Sequence, residues 1–184
     1  MRTAQQLFSE NGVEAVSMHQ VAKSAGIGQG TLYRRYPSKG YLCMSIMKTK
    51  FDRFMDEIER DLRTNASARP AERLSKLMKK LICFADQDLE WIRAVFNSGK
   101  LKEAMTNLFE SPSYLFLQRQ VRSLLEEAAG RGELIRLDPV FASSMIAASL
   151  TPEMMFYLHD LGYTSRQIAE RYVETFIDPL FVAP

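Results

Sequence analysis

Side chains able to do covalent or metal chemistry are sparse in this sequence, and their spacing excludes most reactions. The two histidines, His19 and His159, are far apart, and neither has a partner at the interval of a metal-ligand set. No Gly-x-Ser-x-Gly elbow, phosphate-binding loop or dinucleotide fingerprint occurs. Glu126-Glu127 and the acidic residues from Asp52 to Asp61 read as solvated helix faces rather than acid–base pairs. No catalytic residue, metal or cofactor is therefore expected, and the chain does not read as an enzyme. Cys43 and Cys83, with no Cys-x-x-Cys spacing, read as small core residues in a reducing compartment. What does stand out is charge. Residues 1–50 carry seven Lys or Arg against Glu10 and Glu14, a net of +5, whereas the remainder is mildly acidic. A basic end on an acidic body points to a polyanionic partner for that end.

The elements that must carry this basic end are short. Five of the nine glycines fall in the first 40 residues, at Gly12, Gly26, Gly28, Gly30 and Gly40. In a helical segment such density means brief helices and tight turns. Ala4, Leu7 and Phe8 form one apolar stripe ending at Asn11-Gly12, and Ser17-x-x-Gln20 is a capping box that starts a second helix. Gly26 stops that helix, and a third runs from Gln29 to Arg35. Two short helices around a glycine turn make the helix-turn-helix pattern, with Ile27 expected in the small core beside Val21, Leu32 and Phe8. Pro37-Ser38 opens a long fourth helix over 39–63, and residues 64–69 form the best linker. Ser111-Pro112, Asp138-Pro139 and the Thr164-x-x-Gln167 box mark later starts, while Gly130, Gly132 and Gly162 mark stops. No stretch alternates as a strand would. The expectation is an all-α chain of nine to ten helices. An N-terminal three-helix helix-turn-helix domain (1–45) is joined by a long helix to a C-terminal helical domain (46–184).

From Ser17 to Lys39 the sequence resembles the DNA-binding domain of the tetracycline-repressor (TetR) family. The matching features are the Val-Ala-x-x-Ala-Gly-Ile turn, the Gly-Thr-Leu-Tyr helix and the Pro-Ser-Lys start of the fourth helix. Leu-Phe-x-x-x-Gly in the first helix also fits. Gly28 replaces the Ser often found as a cap, Tyr36 the usual Phe, and Arg35 a common His. The sequence opens almost inside the first helix, so the arm many members carry ahead of it is either absent or lies before the given residues. The resemblance implies double-stranded operator DNA as the partner. It places Gln29 and Thr31 at base edges, Gly30 at a close backbone approach, and Tyr33, Arg35, Lys39 and Ser17 at phosphates, with Arg34 suited to either role.

Beyond residue 50 the resemblance is architectural. Residues 139–161 read as one helix apolar almost all round, which must be buried on more than one side. In the resembled family the last two helices build a homodimer interface, which here implicates Phe141, Met145, Ala148, Pro152, Phe156, Tyr172 and Phe176. Trp91, Phe96, Met105, Phe109, Tyr114 and Phe116 fall within 26 residues and are the candidates to line a cavity for a small apolar or amphipathic effector. Core packing is the other reading of the same residues. No apolar run could span a bilayer and Met1–Glu10 is no signal-peptide core, so a cytoplasmic protein is expected; the resemblance implies a bacterial repressor released by its ligand, with 46–184 as the ligand-binding and dimerisation domain. The alternative class is a helical protein-interaction module with a vestigial DNA-binding head, and operator binding separates the two.

Overall fold

The computed structural model describes residues 1–87, 91–93 and 108–182. Nine α-helices are delimited among them: α1 (Arg2–Asn11), α2 (Met18–Ser24), α3 (Gln29–Arg35), α4 (Lys39–Thr64), α5 (Pro70–Gln87), α6 (Pro112–Gly130), α7 (Pro139–Ser149), α8 (Pro152–Asp160) and α9 (Ser165–Tyr172). The chain divides into two compact units. The first takes in Met1–Phe54 with Asp88–Thr106, and the second Met55–Gln87 with Asn107–Pro184. Helix α4 begins in the first and ends in the second.

In the first unit each short helix has a local cause. Gly12 (φ 80°) closes α1, its N–H donating to the Phe8 carbonyl at 2.9 Å. The capping box of α2 is complete: the Gln20 N–H donates to Ser17 Oγ at 3.2 Å and the Ser17 N–H donates to Gln20 Oε1 at 2.8 Å. Gly26 adopts φ 65°, the left-handed turn that ends α2. Helices α2 and α3 have seven residues each, too few to persist alone. They are held by a shared core of Ala4, Phe8, Val13, Val16, Met18, Val21, Ala22, Leu32, Leu42, Cys43 and Ile46. Ile27 does not join it and is 41 % exposed. The space around Phe8, Val21 and Leu32 is completed instead by Val13, Val16 and Trp91. The Trp91 ring meets Phe8 edge to face at 5.1 Å, and the Lys50 ammonium sits 5.0 Å from its centre.

The second unit buries Leu74, Leu77, Met78 and Ile82 of α5 together with Val121, Leu124 and Leu125 of α6 and Ile168 of α9. Its helices start where capping residues precede proline. Ser111 accepts from the Tyr114 N–H, Asp138 from Val140 and Phe141, and Thr151 from Met154. That last cap breaks the single helix expected over 139–161. Pro152 has no N–H for a continuing helix, so the chain turns at Leu150-Thr151 and begins again as α8. Ion pairs tie elements together at the edges: Arg73 to Glu127 at 2.7 Å, Lys80 to Glu57 at 2.9 Å and Lys80 to Asp61. The Lys80 hydrogen bond holds the Asp61 carboxyl below its usual range, and Asp61 raises the ammonium in return. After α9 a π-helical turn (Val173–Ile177) and a 3-10 turn (Asp178–Leu180) lead to one antiparallel bridge, Leu134 with Phe181.

The two thiols part company. Cys43 is buried in the first unit's core, and burial pushes its pKa up to about 11. Cys83 is exposed, not the core residue expected. Native protein should therefore take up one equivalent of a thiol reagent at neutral pH through Cys83. Cys43 should react only under denaturant. Rapid labelling of both thiols in native protein would contradict this packing.

Candidate nucleic-acid interface

Helix α3 turns one apolar residue inward and the rest outward. Leu32 is buried, whereas Gln29, Gly30, Thr31, Tyr33, Arg34 and Arg35 are exposed, Tyr33 at 46 %. That is more outward aromatic and cationic surface than a helix needs to stay folded, and it stays exposed among the described residues. A Cβ built on Gly30 would meet nothing within 4 Å, so its glycine leaves a flat gap between Gln29 and Thr31. Arg34 Nη2 donates to Thr31 Oγ1 at 3.3 Å, and the Arg35 guanidinium lies 5.7 Å from the Tyr36 ring centre. Across the turn, Gln29 Nε2 lies against Nδ1 of His19, the second residue of α2.

The remaining predicted contacts have structural work as well. Ser17 Oγ is engaged in the α2 capping box. The Lys39 ammonium donates to the carbonyls of Val13 at 2.8 Å and Glu14 at 3.2 Å, with the Glu14 carboxylate 3.9 Å away. It thus pins the start of α4 to the α1–α2 loop while staying only partly buried. All eight sequence-predicted DNA residues belong to one unit, over α2, α3 and the start of α4. His19, which sequence reasoning set aside because it lacks a metal-ligand partner, joins them through Gln29.

The cavity candidates fare differently. Trp91 is corrected from a cavity residue to a core residue of the first unit, because its ring is consumed by Phe8 and Lys50. Phe116 is buried in the second unit, Phe109 is 57 % exposed, and Tyr114 meets Phe109 edge to face at 5.2 Å. Phe96 and Met105 lie outside the described residues. A cleft of about 370 Å³ is lined by Glu59, Leu62 and Arg63 of α4, Ala66 of the connection, Arg73 of α5 and Gln120 of α6, none of them foreseen. The only sequence signal for it was charge on helices read as solvated.

Of the interface candidates, Phe141 and Met145 are 67 % and 57 % exposed, and Ala148 follows on the same face of α7. Ser143, Ile146 and Ala147 occupy the opposite, buried face. Phe176 is 57 % exposed, and Pro152 and Phe156 are half-buried. Tyr172 is corrected: its ring is 8 % exposed, and its hydroxyl is hydrogen-bonded to Ser149 Oγ at 2.8 Å and donates to the Ile146 carbonyl at 3.3 Å. It props α7 from within and stacks on Phe176 at 5.2 Å. Burial pushes its phenol pKa up.

Comparison with known proteins identifies this arrangement. Residues 1–43 match the model of bacterial regulatory proteins of the tetR family. Residues 1–43 thus form a tetR-family DNA-binding domain. An HTH-type transcriptional regulator of Staphylococcus aureus strain MRSA252 is 21% identical over 166 residues, covering 90% of this chain and 83% of that one. Another, from strain USA300, is 46% identical over 52 residues, 28% of either chain. That match spans just over a quarter of the relative's length. A TetR transcription regulator from Haloarcula marismortui shares the fold at TM-score 0.71 and 14% identity, covering 98% of this chain and 95% of that one. The fatty acid degradation regulator FadR from Bacillus halodurans does so at 0.65 and 22%, over 96% and 91%. FadR from Bacillus subtilis, solved in complex with stearoyl-CoA, does so at 0.60 and 19%, over 97% and 96%. The chain is thus a DNA-binding transcriptional regulator with a tetR-family N-terminal domain.

Two glycines of the TetR-family head separate fold from surface. Gly26→Ala forces a side chain into the left-handed region and should destabilise the protein by about 1–2 kcal/mol. Gly30→Ala, in open space within a helix, should leave stability equal or up to about 1 kcal/mol higher. It should nonetheless weaken DNA binding by filling the gap. Thermal melting and DNA titration of both variants check this pair of opposite signs.

Proposed function

We propose that this protein is a homodimeric, non-enzymatic repressor that binds a palindromic operator through α3 and is released from it by a small apolar or amphipathic effector. The observation that carries the reading is the α3 surface, where Gln29, Thr31, Tyr33, Arg34 and Arg35 are all exposed on a unit with a surplus of basic residues. In this reading Gln29 and Thr31 reach base edges in the major groove. Tyr33, Arg35, Lys39 and Ser17 position the head on phosphates, and Arg34 serves either role. Lys39 keeps its carbonyl partners while its partly exposed ammonium meets the backbone.

Dimerisation is supported by apolar surface that the protomer leaves open. Phe141, Met145, Tyr157 and Phe176 are each more than half exposed, more than scattered surface hydrophobes require. A second copy covers Phe141, Met145, Ala148, Pro152, Phe156 and Phe176 and sets the spacing of two recognition helices to that of successive major grooves. No helix among the described residues is long and apolar enough to cross a membrane, which agrees with a cytoplasmic site of action on DNA. The effector reading draws on the fold shared with FadR, solved with stearoyl-CoA. An effector need favour the DNA-incompetent conformation by only about 1.4 kcal/mol to loosen the operator tenfold.

Selection from randomised duplex DNA should enrich an inverted repeat whose binding weakens steeply with salt. Arg35→Ala should weaken all sequences alike and lower the salt slope by about one, whereas Gln29→Ala should relax preference at one symmetric position by about 1–3 kcal/mol. Recovery of no palindrome would overturn the reading in favour of a protein-interaction role. Ala148→Glu should abolish the dimer, measured by sedimentation. A dimer that persists would place the interface elsewhere.

A further inference from the structure

The side chain of Arg73 on α5 is only 12 % exposed, and the fold satisfies just part of its guanidinium. Nη1 donates to Glu127 Oε2 at 2.7 Å, the one hydrogen bond Arg73 makes among the described residues. Nε is buried and has no partner there. Glu127 is itself divided, since its other oxygen accepts from Arg131 Nη2. Asp61 is taken by Lys76 and Lys80, and Glu59 pairs with Arg63 at 3.6 Å. Arg63, Arg73 and Arg131 therefore share two carboxylates, Glu59 and Glu127, and one positive charge is left over. A buried cation with incomplete pairing is costly to keep.

The same Arg73 side chain lines the cleft of about 370 Å³, a volume within the range of small-molecule sites. Gln120 lines it too, half-buried, its amide without a hydrogen-bond partner among the described residues. Leu62 and Ala66 give the cleft an apolar side. Every residue of this lining belongs to the second unit.

We propose that Arg73 and Gln120 receive the carboxylate of a small amphipathic anion, whose apolar part lies along Leu62 and Ala66. The inference deepens the effector reading and rests on it for any consequence at DNA. With Nη1 spent on Glu127, Arg73 keeps Nε–H and Nη2–H, two near-parallel donors on one edge of a planar group. That edge matches the two oxygens of a carboxylate as a bidentate pair. The Gln120 amide adds a further donor, and a single negative charge balances the surplus. A neutral ligand leaves that charge unanswered, and a cation is repelled by it. Inorganic phosphate satisfies the donors and leaves Leu62 and Ala66 in water.

Calorimetric titration of the full chain tests the site, with octanoate, its neutral amide, octylamine and inorganic phosphate as probes. Octanoate should bind about tenfold more tightly than octanamide or phosphate, and octylamine should not bind. Arg73→Lys keeps the charge and removes the paired edge, and should weaken octanoate about tenfold. Gln120→Glu leaves Arg73 intact and stands in should Arg73→Lys fail to fold. It supplies a carboxylate from the chain itself, so it should raise the melting temperature and abolish octanoate binding. Octanoate that binds no better than octanamide or phosphate overturns the proposal, as does equal binding by the wild type and either variant. Absence of binding also overturns it and leaves the cleft to water only. Displacement of the selected duplex is read separately. Octanoate binding that depends on Arg73 but leaves the duplex bound removes the effector reading and keeps the site. Release of the duplex that persists in both variants keeps the effector reading and removes the site.

Discussion

Phe8 meets the ring of Trp91 edge-on at 5.1 Å, and helices α2 and α3 depend on the small core in which that contact sits. Helices α2 and α3 are each two turns long, and the loss of conformational entropy in forming them exceeds what their own hydrogen bonds return. Their crossing exists only because Val21, Ala22 and Leu32 are buried against α1 and the start of α4. Trp91 brings the largest ring to that core from a point far along the sequence. Truncating such a buried aromatic costs about 3–5 kcal/mol, a large share of any small domain's stability. The geometry of the proposed reading surface is therefore a property of the residues buried beneath it.

Once the core fixes α3, the outer face is free for recognition, and the structure divides the labour along it. Leu32 is given wholly to the fold and Ser17 largely so, through its capping box. Lys39 is shared, because the ammonium that caps the carbonyls of Val13 and Glu14 still carries a charge at the surface. Gln29, Gly30, Tyr33 and the two arginines have little or no such duty. A surface of this kind binds DNA mainly by charge and phosphate hydrogen bonds and discriminates by the few side chains that reach base edges. The second unit has the opposite character, mildly acidic and with Phe141, Met145 and Phe176 open to solvent, which suits protein contact and not a polyanion.

Local signals in the sequence carried the elements well. Ser17 with Gln20, Thr164 with Gln167, Asp138 with Pro139 and Gly26 each act within four residues, so their geometry follows from the chain alone. Trp91 was misjudged for the opposite reason. Its partner Phe8 is more than eighty residues away, and nothing in its neighbours says which core a ring will enter. Ile27 shows the converse, an apolar residue at a turn whose place in the core had been taken by others. The break between α7 and α8 was legible in Thr151-Pro152 but was outweighed by an apolar composition that runs through it. Tyr172 was assigned to the right helix and the wrong side of it, because its hydroxyl finds Ser149 and the Ile146 carbonyl inside the protomer.

The central claim is that α2, α3 and the start of α4 form the DNA-contacting surface, and amide hydrogen exchange tests it without altering a residue. The comparison is between free protein and protein bound to a duplex recovered by selection. Exchange should slow most over residues 17–39, where short helices exposed to solvent open readily in the free state. The body of the second unit, α5 and α6 in particular, should change far less. Slowing confined to the second unit, with residues 17–39 exchanging as fast as in free protein, would contradict the account.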